Sequence, residues 1–124
     1  MKKAAYMGIG LALLLLLTLV TTSSGALQDK PKYSIREVMQ KAHKTGLWKK
    51  VAEGKATEAE RKELVEYYTS LSQQKPPKGD LELWRKRTST MLKIAQAAEK
   101  GDKGEAAKLL KTVNCKDCHG TFRD

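Results

Sequence analysis

The chain has 124 residues, 24 Lys and Arg against 14 Asp and Glu, a formal net charge of +10, 40% hydrophobic residues and only two Cys and two His. That length allows one small domain and no more. The positive surplus is mostly lysine spread along helical stretches, without a compact Arg cluster or a nucleic-acid motif, so it argues against nucleic acid and for acidic partners or anionic surfaces.

The first stretch reads Met1-Lys2-Lys3, then an apolar run from Met7 to Val20, then Ser23-Ser24-Gly25-Ala26. A charged start, an apolar middle and a small-residue cleavage site predict a secretory signal peptide over residues 1–26. An uncleaved membrane anchor is the alternative, since the run approaches spanning length. No Cys follows it, so a lipoprotein anchor is not supported. Without its two lysines, residues 27–124 keep 22 basic against 14 acidic side chains, a net charge of +8 over 98 residues. A domain that small has a thin core, which a large bonded cofactor would supplement.

Residues 27–33 are polar, contain Pro31 and read as a leader. Ser34 with Glu37 forms a capping-box pattern, and Ile35, Val38, Met39, Ala42, Leu47 and Val51 recur at helical spacing up to Gly54; this predicts a first helix over about 34–52. Thr57 with Glu60 opens a second, whose inner stripe is Leu64, Tyr67, Tyr68 and Leu71, and which stops before Lys75-Pro76-Pro77-Lys78-Gly79. Asp80 caps a third, with Leu81, Trp84, Thr88, Met91, Leu92, Ala95 and Ala98 inside and Gly101 as its stop. Asp102 with Glu105 starts the fourth, in which Ala106, Leu109, Leu110 and Val113 lead straight to Cys115. Four amphipathic helices with short turns and no alternating strand pattern predict an all-α fold, an antiparallel four-helix bundle over residues 34–124.

The stretch Cys115-Lys116-Asp117-Cys118-His119 has the Cys-x-x-Cys-His spacing of c-type haem attachment. On a helix, residues three and four apart share a face, so Cys115, Cys118 and His119 can address one flat object. The two thiols would bond the porphyrin vinyls, and the imidazole would ligate iron. A zinc site competes poorly, because its remaining ligand, His43, lies more than seventy positions upstream and Cys118 and His119 are adjacent. A thioredoxin-like motif wants a βαβ context that is missing here, and a plain short disulfide is the third rival.

The attachment motif at the C-terminal end, the four-helix pattern, and Phe122 and Arg123 three and four positions after His119 together resemble the class II cytochromes c, the family of cytochrome c′ and the low-spin cytochrome c556 type. The resemblance covers residues 34–124 in architecture and is sharp only over the last ten residues. It implies a left-handed bundle with one covalent haem c, His119 as proximal ligand, and maturation outside the cytoplasm. It also implies a distal residue on the first helix, where Ile35-Arg36-Glu37-Val38-Met39 is similar to the family's Arg-led start. Met39 is the thioether ligand implied there, and an ungapped match puts Val38 in that slot instead. Core filler is the plainer reading of Met39. Arg36 would pair with a haem propionate, and Arg123 is similar in kind.

His43, one turn beyond Met39, admits bis-histidine ligation or a plain half-exposed helix histidine. Trp48, Trp84 and Tyr67 read as core or pocket wall. No hydrolytic triad, acid pair, phosphate loop or open metal cluster can be assembled, so no catalytic residue is assigned. The expectation is a periplasmic one-electron carrier, free of the membrane once its signal is cut, that docks transiently on acidic redox proteins. The alternative is a five-coordinate binder of nitric oxide or carbon monoxide. Relatives often pair through their first two helices, which leaves monomer and homodimer both open.

Overall fold

Side-chain caps open the helices where the sequence places them. In the computed structural model, which describes residues 30–123, helix α1 (Ile35–Val38) starts at Ser34, whose Oγ accepts from the Glu37 amide at 3.1 Å while its own amide donates to Glu37 Oε2 at 2.8 Å. The same reciprocal pair joins Thr57 and Glu60, at 3.2 and 3.1 Å, ahead of the longer helix Glu58–Ser72. Asp80 caps Leu81–Glu99 through the Leu83 amide at 2.9 Å, and Asp102 caps Lys103–Ala107 through the Glu105 amide at 3.0 Å. Each such cap stabilises a helix by about 1 kcal/mol.

Among the described residues every regular element is helical, and none is long and apolar enough to cross a membrane. The expected signal peptide lies outside the described residues, as do residues 27–29 of the leader and Asp124. Tyr33, assigned to the leader, is tied to the fold. Its amide donates to Ser70 Oγ at 3.2 Å, its carbonyl accepts from Gln74 Nε2 at 2.7 Å, and its ring meets Tyr67 edge-on at 4.8 Å.

The middle two helices run unbroken as expected, but the outer two do not. Instead of one helix over 34–52, α1 passes into a π-helical turn, Met39–Lys44, and α2 (Leu47–Ala52) begins afresh. Gly46 makes the break: its φ of 77° is left-handed backbone, open to a residue without Cβ. Its amide closes the first segment on the His43 carbonyl at 3.1 Å, and its own carbonyl opens α2 by accepting from Lys49 and Lys50 at 3.1 and 3.0 Å.

The long pair is α3 (Glu58–Ser72) and α4 (Leu81–Glu99), which make the most extensive interhelical contact in the chain. The expected fourth helix is three short ones, α5 (Lys103–Ala107), α6 (Leu109–Thr112) and α7 (Cys115–Phe122). Extended backbone at Val113 and Asn114 separates the last two. Leu110, expected inside, is 48% exposed, because α6 is a single turn that can bury one leucine and turns Leu109 inward.

One core holds these pieces. Leu64, Tyr67, Tyr68 and Leu71 of α3 are buried as the stripe predicts, together with Trp84, Thr88, Ala95 and Ala98 of α4. Ile94 joins them, while Leu81, Met91 and Leu92 are only half-buried. Val38 and Ala42, both fully buried, bring α1 and the π-turn against that core, and Leu47, Val51 and Ala52 bring α2. Helices this short persist through such burial rather than through intrinsic propensity.

Candidate functional site

Helix α7 carries both cysteines and is pinned at its two ends. At its start the Asn114 side chain accepts from the Asp117 amide at 3.0 Å, an N-cap the sequence reading overlooked. At its end Phe122, its one buried residue, meets Trp84 edge-on with ring centres 5.2 Å apart. Arg87 of α4 pairs with Asp117 at 2.6 Å and lies over the Phe122 ring at 5.4 Å. Gly79 of the linker seals the end: at φ 91°, any Cβ there would stand 2.8 Å from both Phe122 Cδ1 and the Thr121 carbonyl. Cys115, Cys118 and His119 lie between these anchors. Both thiols are free, Cys115 exposed and Cys118 half-buried against the core, where burial pushes its thiol above the usual range.

Their helix borders a cavity of about 1380 Å³. That exceeds the roughly 300–1,000 Å³ of ordinary small-molecule pockets. Its walls bring together all six residues nominated from the sequence: Arg36 and Met39 from the N-terminal segment, Cys115, Cys118 and His119 from α7, and Arg123 just beyond. Ile35, Leu71, Leu83, Trp84, Met91, Val113 and Phe122 make much of the lining apolar. Six cationic side chains, Arg36, Lys44, Lys86, Arg87, Lys111 and Arg123, face a single acid, Asp117, which Arg87 already engages. The site therefore suits a large, mostly apolar molecule that carries anionic groups.

His43 lines the same cavity. Its ring stacks on Trp48 at 6.0 Å and 25° and tilts against Tyr68 at 5.7 Å, while its Nε2 is buried without a hydrogen-bond partner. Burial pushes its pKa down to about 4, and the His119 charge lowers it further in the same direction, so the ring is neutral near pH 7. Two neighbours are also unpartnered: the Tyr68 hydroxyl, held well above its usual range by burial and then by Cys115, and Trp84 Nε1, in the cavity wall.

These residues fit haem c. Two free thiols and an imidazole stand on one short helix at the rim of a cavity with an apolar lining and a cationic margin. Two of the lining residues, His43 and Trp84, also carry a buried ring nitrogen that has no hydrogen-bond partner. Among the described residues no three His, Cys, Asp or Glu side chains gather closely enough to hold a bare metal ion, and no disulfide joins the cysteines.

Arg87, Asp117 and Tyr68 were not nominated from the sequence as parts of the site. Arg87 could have been found, since it falls one turn after Trp84 and one before Met91, at the edge of the inner stripe. Set against models of protein families, curated proteins and solved structures, the chain matches none.

Proposed function

We propose that this chain is an exported monohaem c-type cytochrome, a class II-like antiparallel four-helix bundle that carries single electrons between periplasmic or membrane redox proteins. One observation carries the reading: Arg36 and Met39, which the family resemblance implies, line one cavity with Cys115, Cys118 and His119 of the attachment spacing, some eighty positions away. When bound, the haem supplies one-electron chemistry at its iron, tuned by axial ligands, burial and local polarity. Cys115 and Cys118 would tether it and His119 would ligate it from the proximal side. Arg36 and Arg123, both in the cavity wall, would pair with the propionates, as the family resemblance implies. Met39 is the distal ligand that the family resemblance implies, and His43 shares its wall of the cavity. The +8 surplus of residues 27–124 favours brief, salt-sensitive docking on acidic partners.

The test is expression of the full chain in a bacterium that matures c-type cytochromes, followed by cell fractionation, denaturing electrophoresis with haem staining, and a pyridine haemochrome assay. The expected result is periplasmic protein with one haem per chain that survives denaturation and is lost in the Cys115→Ser, Cys118→Ser double variant. Colourless protein whose two thiols react freely with a thiol reagent would refute it.

A further inference from the structure

Resting on the cytochrome reading, we propose that His43, rather than Met39, would join His119 as the second side chain that ligates the haem iron. Both side chains line the cavity from the π-helical turn, but they differ in what they lack. Met39 is a half-buried thioether packed against the core, and a thioether left without a polar partner is ordinary core filling. His43 Nε2 is a buried nitrogen with no partner, a condition that is costly unless something outside the chain relieves it. A metal bound at that nitrogen would relieve it, and His119 lines the same cavity.

The backbone and the neighbours support this role. π-helical turns are uncommon and recur at functional sites, and here the wider turn lets residues four and five apart share a face. Met39, His43 and Lys44 accordingly all border the cavity. Trp48 on one side and Tyr68 on another fix the imidazole plane, the kind of support that orients a ligating histidine. A second neutral imidazole in place of a thioether changes the electronic character of the site, because methionine ligation raises the potential. The carrier would then work at the lower end of the c-type range.

The experiment uses full-length, haem-loaded protein and its Met39→Leu, His43→Leu and His43→Met variants. The pyridine haemochrome assay first establishes whether haem is attached at all; a haem-free wild type overturns the cytochrome reading, and this inference with it. With haem attached, the expected wild type is low-spin, shows the near-infrared and electron-paramagnetic signatures of two imidazoles, and lacks the methionine-to-iron charge-transfer band. Met39→Leu keeps those signatures. His43→Leu turns high-spin and, once reduced, binds carbon monoxide at least tenfold faster, whereas His43→Met stays low-spin at a higher midpoint potential. A methionine band in the wild type that disappears in Met39→Leu overturns the inference, and so does a high-spin wild type unaffected by His43→Leu. The wild-type spectra decide even if a His43 variant fails to fold.

Discussion

Acid should weaken the haem-free chain through His43, and by an amount the structure sets. Burial holds that imidazole at a pKa of about 4, against an ordinary 6.5. Between those values an unfolded chain takes up a proton that the folded one refuses, so folded stability falls as pH falls. Above pH 6.5 the effect is absent; it grows through the window and is complete below about pH 4. The gap between 6.5 and about 4 corresponds to about 3 kcal/mol, with a slope approaching ~1.4 kcal/mol per unit of pH in mid-window. Glu37, held low mainly by the Ser34 amide, and Glu60, held low mainly by Lys50, begin to lose their contribution near pH 4.5, at the acid end of the same window, so the effect of His43 is read as a difference from a variant that lacks it.

The assay is urea unfolding of haem-free wild type and His43→Phe at a series of pH values from 7 to 4, followed by far-ultraviolet circular dichroism. The wild type should lose about 3 kcal/mol more than the variant across the series. Phe keeps an aromatic ring against Trp48 and Tyr68 while removing the titration. Parallel pH profiles for the two proteins, or a nuclear magnetic resonance titration of His43 centred near 6.5, would refute the reasoning.

Gly79→Ala should loosen α7 by about 1–3 kcal/mol, because a Cβ would meet Phe122 and the Thr121 carbonyl on a backbone already at φ 91°; hydrogen exchange should quicken across Cys115–Phe122 and not in α3. Leu109→Ala should cost about 2–5 kcal/mol, whereas Leu110→Gln, at an exposed position, should stay within about 0.5 kcal/mol, both read from urea midpoints. Equal losses would restore one continuous fourth helix with both leucines inside. Thr57→Ala removes the acceptor for the Glu60 amide and should lower stability by about 1 kcal/mol in the same measurement.

Where local chemistry decides, the fold is legible in the residues. The capping boxes at Ser34 and Thr57 and the stripe from Leu64 to Leu71 form as read, since caps and apolar periodicity act within a few residues of each other. The outer segments are less legible because their breaks compete with signals of equal strength nearby. Gly46 lies inside an apolar repeat that continues through Leu47 and Val51, and a lone glycine in a helical pattern is as often tolerated as obeyed. Asn114 is a good cap residue, but Val113 before it completes the apolar stripe and hides the interruption.

The same break explains what could be read of the site. Cys115, Cys118 and His119 are near neighbours in sequence, so their spacing carries its chemistry whatever the rest of the chain does. The facing wall is a matter of phase. On an uninterrupted α-helix from 34 to 52, Met39 extends the stripe of Ile35, Val38 and Ala42, and His43 reads as a side chain at its edge. The π-turn and the left-handed Gly46 change that phase just where His43 lies, and α2 then presents Trp48 to stack on its ring. Periodicity already puts His43 one turn beyond Met39; what it cannot see is the stacking on Trp48 that the break at Gly46 allows. If Gly46→Ala straightens the segment, the His43 ring should lose its stacking on Trp48 while Cys115, Cys118 and His119 stay where they are, because their helix is capped and anchored independently by Asn114 and Phe122.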